Sequence, residues 1–180
     1  MLYEEKTMKS DKIYDGKILK LKVDTVEMPD KKYSKREIIE HPGAVAMIPI
    51  TEEGNILLVR QYRKAVEDFL LEIPAGKLEV NEEPKETATR ELKEEIGMDP
   101  KKLTYLSEFY SSPGYCDEKI HLFLAEDLEE GDFEKEEGEF LEVVEYSIEE
   151  LIKMVSMGDI VDSKTIIGIF LAEKIIEAKQ

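Results

Sequence analysis

The chain has 180 residues, 42% hydrophobic and 37% charged, which predicts a soluble globular protein large enough to bury a core. Its formal net charge of −17 argues against nucleic acid and anionic membranes as unaided partners, because both bind Lys- and Arg-rich surfaces. A nucleotide substrate is still compatible with this charge, since bound cations can reverse the local potential.

Cysteine content and the first residues predict the compartment. The single cysteine, Cys116, excludes an internal disulfide and is typical of a reducing compartment. The opening residues lack the apolar core of a signal peptide, and no run is long enough to cross a bilayer. We therefore expect a cytoplasmic protein.

Strands are predicted for much of the first 61 residues. Polar and apolar residues alternate around Lys6–Tyr14 and Ile18–Met28, and Tyr33–Glu40 is predicted as a further strand. Two near-continuous apolar runs follow, Ala44–Ile50 and Ile56–Gln61. Such runs are typical of strands buried on both faces, and the glycine-containing turn between them predicts a hairpin.

After a short strand at Phe69–Ile73, the chain predicts a helix with an acidic flank. Pro84 suits the first helical turn, and Gly97 suits the C-terminal stop. Apolar residues recur between them at four-residue intervals: Ala88, Leu92 and Ile96. Helical geometry places Glu91 and Glu95 about 40° apart beside this buried stripe. Charge there is costly unless a partner such as a cation neutralises it.

The remaining residues predict strands followed by helices. The strands are Leu103–Tyr110, Lys119–Ala125 and Phe140–Tyr146, and an acidic loop at about 127–139 precedes the last of them. Helices are predicted at Ser147–Met157 and Ser163–Ala178, with Asp162 or Ser163 as the N-cap of the second. Strands and a few helices without a regular βαβ rhythm predict an α+β fold.

Residues 76–98 carry a complete spaced motif. Its fixed points are Gly76, Glu82, Arg90, Glu91, Leu92, Glu94, Glu95, Gly97 and Met98. A solvated acidic helix face would explain an isolated pair of glutamates, but it would not explain the whole spaced set with both glycines. The motif matches the Nudix box, so the chain resembles the Nudix hydrolase family.

Segments outside the box resemble one branch of that family, the ADP-ribose pyrophosphatases. They are Arg36-Glu37 with His41–Ala46, Val59–Arg63 with Glu72–Gly76, and Ser112–Tyr115 with Glu118–Leu122. The resemblance implies an α/β/α sandwich with a mixed central sheet and additional antiparallel N-terminal strands. It also implies one domain over residues 1–180, with a core at 41–180 and a homodimer formed through residues 1–40.

The resemblance implies a metal-dependent hydrolase that splits the diphosphate bond of ADP-ribose into AMP and ribose 5-phosphate. Glu91, Glu95 and the backbone carbonyl of Ala75 would hold Mg²⁺, or alternatively Mn²⁺. Glu94 would be a further ligand or an acid that supports the ligands. The base would come from the acidic loop, where we predict that Glu137 activates water and Glu139 contributes to the metal site.

Two arginines are the predicted substrate contacts, because a guanidinium offers several donors to a phosphate. They are Arg36 and Arg63, and a surface salt bridge is the competing interpretation for each. Arg60 should lie on the opposite strand face from Arg63. Relatives can stack adenine on an aromatic residue near the second strand, whereas Lys17–Leu21 offers only aliphatic side chains.

Two alternative functions stay open. The substrate could be another nucleoside diphosphate sugar or a different diphosphate. The chain could also be a non-catalytic Nudix ligand sensor, although such modules usually lose box glutamates and this chain keeps Glu91, Glu94 and Glu95.

Overall fold

The computed structural model of the protein describes residues 2–131 and 140–179. Within these ranges it has ten strands and three helices. The strands are β1 Lys6–Asp15, β2 Lys20–Glu27, β3 Tyr33–Glu40, β4 Ala44–Pro49, β5 Ile56–Arg63, β6 Asp68–Glu72, β7 Ala75–Lys77, β8 Met98–Tyr110, β9 Lys119–Glu130 and β10 Leu141–Tyr146. The helices are α1 Pro84–Ile96, α2 Ile148–Met157 and α3 Ser163–Lys179. In the same ranges, no helix is both long enough and apolar enough to cross a membrane.

The chain divides into two compact units, and the first contains residues 1–43 and 110–119. Its strands form an antiparallel sheet in the order β1-β2-β3, as the alternating sequence predicts. The end of β3 is joined to the loop after β8, because the Ile39 N–H donates to the Tyr115 carbonyl and the Asp117 N–H donates back to Ile39. This exchange anchors the loop beside the third strand.

The second unit contains residues 44–109 and 120–180, and its described part holds two sheets. One is mixed, with the order β7-β4-β9-β8, in which β4 runs parallel to β9 and antiparallel to β7. The other has the order β10-β5-β6 and is antiparallel. The mixed α+β architecture confirms the predicted fold class.

Side-chain alternation explains why the runs in β4, β5 and β9 are apolar at nearly every position. Successive residues of a strand point to opposite faces, so each of these strands contributes to two separate clusters. One cluster contains Ala46, Ile48, Ile56, Leu58, Leu122 and Leu124, together with residues of α2 and α3. The other contains Val45, Met47, Leu57, Val59 and Phe123, together with the apolar stripe of α1. The helices therefore cover both faces of these strands.

Helix ends follow the local sequence. Pro84 stands in the first turn of α1, and Gly97 ends the helix with φ of 68°, a left-handed conformation that glycine adopts without steric cost. A capping box begins α2, where Ser147 and Glu150 bond to each other's backbone N–H groups. Of the two N-cap residues predicted for α3, Asp162 is the one whose carboxylate accepts from the Thr165 N–H.

The predicted hairpin between β4 and β5 is wrong. The turn forms, with the Thr51 N–H donating to the Asn55 carbonyl, but only Ile50 and Ile56 make a bridge. β4 instead pairs with β7 and β9, and β5 pairs with β6 and β10. Strands β4 and β5 are each buried on both faces and pair with strands of different sheets. The local turn signal between them does not show this. Strand β9 also continues to Glu130, so residues 127–130 of the predicted acidic loop are strand.

Candidate active site on helix α1

The acidic flank of α1 lies beside the buried stripe, as the helical spacing predicts. Ala88 and Leu92 are fully buried, and this fixes the rotation of the helix. Glu95 is consequently only 5% exposed, and the side chains of Glu91 and Glu94 are 14% and 18% exposed. Carboxylates this sheltered from water need compensating donors or cations.

Arg90 supplies part of that compensation. Its guanidinium donates to the carboxylate of Glu91 at 2.9 Å and to that of Glu94, one helical turn further on, at 2.8 Å. It also donates to both oxygens of Glu82 at 3.2 Å. The hydrogen bond to Glu82, followed by the charges of Glu91 and Glu94, raises the pKa of Arg90 above its ordinary value. Arg90 thus contacts three motif carboxylates at once.

The segment before the helix approaches this acidic flank very closely. The Ala75 N–H donates to Glu95 Oε2 at 3.0 Å. A Cβ atom placed on Gly76 would lie 1.8 Å from Glu91 Cδ and 2.0 Å from its Oε1. Any other residue at position 76 would displace the Glu91 carboxylate, so only glycine leaves this side chain in its present position.

The donor chemistry of this flank fits a hard divalent cation. Glu91, Glu94 and Glu95 supply carboxylate oxygens, which Mg²⁺ and Mn²⁺ prefer, and Glu91 occupies a space that only a glycine at position 76 leaves open. Over residues 2–131 and 140–179, no three Asp, Glu, His or Cys side chains already converge as a ligand set. The carbonyl of Ala75 stays a predicted ligand, and Glu137 and Glu139 lie outside the described residues.

The other feature of this unit is a buried carboxylate at the end of β6. Glu72 is 1% exposed and accepts from Arg63 Nε at 2.6 Å and from Arg63 Nη2 at 2.8 Å. Lys164 Nζ at the start of α3 also donates to it. Burial acts to raise the pKa of Glu72, but the bonds from Arg63 and the charge of Lys164 hold that pKa below its ordinary value. Glu72 therefore stays ionised in the interior.

Glu72 and Lys164 were not among the predicted site residues. A glutamate inside the apolar strand Phe69–Ile73 is a signal for a buried cationic partner, because an unpaired buried charge is too costly. Its partner Lys164 lies 92 positions away, and a single sequence does not reveal such a distant pairing.

The predicted substrate arginines have different surroundings. Arg63 pairs with Glu72 and keeps 43% of its side chain exposed. Arg36 lies in the N-terminal unit, where its Nε donates to Glu5 at 2.8 Å and its Nη1 donates to Ser34. The ion pair with Glu5 agrees with the competing interpretation, in which Arg36 is a salt-bridge residue. Arg60 forms a separate ion pair with Glu142 at 3.6 Å.

Comparison with known proteins identifies the family. Residues 40–166 match the model of the NUDIX domain, and residues 5–39 match that of the nucleoside diphosphate sugar hydrolase N-terminal domain. The first match alone covers more than half of the chain, so the protein belongs to the Nudix family.

Two curated relatives are similar over almost their whole length. An ADP-ribose pyrophosphatase of Bacillus subtilis (strain 168) is 51% identical over 164 residues, which are 90% of this chain and 89% of the relative. A methanol dehydrogenase activator of Bacillus methanolicus is 46% identical over 170 residues, covering 93% of this chain and 92% of the relative.

A solved structure supports the fold independently. The crystal structure of an ADP compounds hydrolase superposes with a TM-score of 0.88 over 99% of this chain and 97% of that chain. At 22% sequence identity, this likeness bears on the fold alone.

Proposed function

We propose that this protein hydrolyses the diphosphate bond of ADP-ribose and releases AMP and ribose 5-phosphate. The packing of Glu91 and Glu95 against Ala75 and Gly76 supports this proposal, because it places two sheltered carboxylates beside the short strand β7. The Bacillus subtilis relative bears the name of this activity and matches 90% of the chain.

The reaction requires a divalent cation, a positioned water and a base. Glu91, Glu95, the Ala75 carbonyl and Glu139 would hold the cation, with Glu94 as a further ligand or a supporting acid. When bound, Mg²⁺ or Mn²⁺ reduces the negative charge of the diphosphate oxygens. Arg90 holds the side chains of Glu91 and Glu94 in place through its ion pairs.

In this proposal, residues of the chain accept the proton of the attacking water and position the substrate. Water attacks one phosphorus, its proton passes to the carboxylate of Glu137, and the bond from that phosphorus to the bridging oxygen breaks. The second phosphate leaves with that oxygen. Arg63 binds a phosphate oxygen with the part of its guanidinium that Glu72 does not use. Arg36 is the second substrate contact in this proposal and would exchange Glu5 for the ligand.

A second candidate substrate is another nucleoside diphosphate sugar. The stretch Lys17–Leu21 carries no aromatic side chain on which adenine could stack, and this favours testing other nucleotide bases. A sensor without catalysis has less support, because the carboxylates of the box are all retained.

Replacing the most buried box carboxylate should abolish most of the activity. We expect Glu95→Gln to lower kcat/KM for ADP-ribose with Mg²⁺ at least about hundredfold, which is about 2.7 kcal/mol of transition-state stabilisation. Chromatography of the products should show AMP and ribose 5-phosphate with the wild type. The exposed Glu53→Gln serves as the matched control and should match the wild type. Near-normal turnover by Glu95→Gln would refute the metal assignment.

The base is tested with two neighbouring variants. We expect Glu137→Gln to lower kcat about a hundredfold while the dissociation constant of ADP-ribose changes little, because a base acts on the water. Glu139→Gln should instead raise the Mg²⁺ concentration required for half-maximal activity. If the two variants exchange these behaviours, the roles of Glu137 and Glu139 are reversed.

We also propose that the protein is cytoplasmic and forms a homodimer through its N-terminal strands. Large apolar side chains of this unit are exposed: Met8, Ile13, Ile18 and Tyr33. Exposed apolar groups of this kind are typical of surfaces that a second copy covers.

Light scattering should give a mass twice the 20.7 kDa of the chain, and Ile13→Lys should shift that mass toward the monomer. A monomeric mass for the wild type at assay concentration would contradict the dimer.

A further inference from the structure

One edge of the Arg63 guanidinium is held and another is left open. Nε and Nη2 each donate to a different oxygen of Glu72, which is a side-on fork. A guanidinium has five N–H donors, so this fork leaves the two on Nη1 and the second on Nη2. In the described part of the chain, Nη1 has no hydrogen-bond partner, and the Arg63 side chain is 43% exposed.

The Glu72 carboxylate is shared with a second cation. Lys164 Nζ contacts Glu72 Oε2 and lies 3.1 Å from Asp162 Oδ2, with only 12% of the Lys164 side chain exposed. Asp162 is itself fixed, because its Oδ2 accepts from the backbone N–H of Thr165 at 3.0 Å and from Thr165 Oγ1 at 2.6 Å. Lys164 is therefore held between two carboxylates at the start of α3.

The same cluster is tied to the segment that leads to the acidic helix. Thr165 Oγ1 accepts from the Ile73 N–H at 2.9 Å. Ile73 directly follows Glu72, and two residues later the Ala75 N–H donates to Glu95. The position of the start of α3 and the position of this segment are consequently coupled by hydrogen bonds.

Lys164 also affects the balance of charge around the Arg63 guanidinium. If Glu72 had Arg63 as its only cation, the carboxylate would offset most of the positive charge of the guanidinium. Lys164 offsets part of the negative charge of both Glu72 and Asp162, and both carboxylates act on Arg63, so the guanidinium keeps more of its positive charge at the open edge. Two cations around one buried carboxylate also restrict its rotation, since both oxygens are engaged.

We propose that Lys164 is a positioning residue for phosphate recognition: by sharing Glu72 with Arg63, it fixes the guanidinium and keeps its open edge positively charged. The ligand of that edge is a pair of oxygens on the substrate diphosphate. The inference rests on the proposed function, in which Arg63 contacts the substrate.

The test is a double-mutant cycle between Lys164 and Arg63, read as binding without turnover. The dissociation constant of ADP-ribose is measured by calorimetry in EDTA for the wild type, Lys164→Met, Arg63→Met and the double variant. Lys164→Met should weaken binding about tenfold in the wild-type background and should have no further effect once Arg63 is replaced. With Mg²⁺, the single variant should raise KM by a similar factor and change kcat less than about threefold.

Two further variants make the test specific. Lys174→Met removes an exposed lysine of the same helix and should leave both constants unchanged. Lys164→Gln keeps N–H donors without the charge and replaces Lys164→Met if that variant does not fold by circular dichroism. An unchanged dissociation constant, or additive effects of the Lys164 and Arg63 changes, would overturn the positioning role.

Different results would contradict the proposed hydrolase activity and the positioning role of Lys164. Wild type that binds ADP-ribose in EDTA but does not hydrolyse it with Mg²⁺ would contradict the hydrolase, and the cycle would still test Lys164. Wild type that does not bind ADP-ribose at all would overturn both.

Discussion

The segment from Glu72 to Gly76 is held at both ends by charged side chains, and the candidate site depends on this. At its start, the buried Glu72 carboxylate is ionised because Arg63 and Lys164 share it. At its end, the Ala75 N–H donates to Glu95, and Gly76 leaves the space that the Glu91 side chain fills. A short stretch of backbone thereby connects a candidate phosphate-binding arginine with a candidate cation site.

The two apolar clusters hold this segment in place. Because alternate residues of β4, β5 and β9 point to opposite faces, α1 packs on one face while α2 and α3 pack on the other. The Met47 N–H of β4 donates to the Pro74 carbonyl, so the segment is also bonded to the most buried strand. Desolvated carboxylates are tolerated here because rigid elements bring donors to them, and the same rigidity favours a preorganised site.

Local signals in the sequence were sufficient for the elements that depend on neighbouring residues. The four-residue spacing of apolar residues, together with Pro84 and Gly97, predicts helix α1 between these two positions. The structure places α1 at Pro84–Ile96, with Gly97 as its cap. Partnerships between distant residues were not predictable in this way. The prediction of a β4–β5 hairpin is wrong because the pairing of a strand depends on every strand of the sheet. The hydrogen bond from Lys164 to Glu72 is equally hard to predict, because it joins residues 92 positions apart.

The candidate cation site depends on the close approach of Gly76 to Glu91. The most direct measurement is the dissociation constant of Mn²⁺ for Gly76→Ala, with Gly114→Ala as a control, since a Cβ at position 114 meets no described atom within 4 Å. We expect Gly76→Ala to bind Mn²⁺ at least about tenfold more weakly than the wild type while the fold is retained, because the new methyl group displaces the Glu91 carboxylate. Equal affinity of the wild type, Gly76→Ala and Gly114→Ala would contradict it.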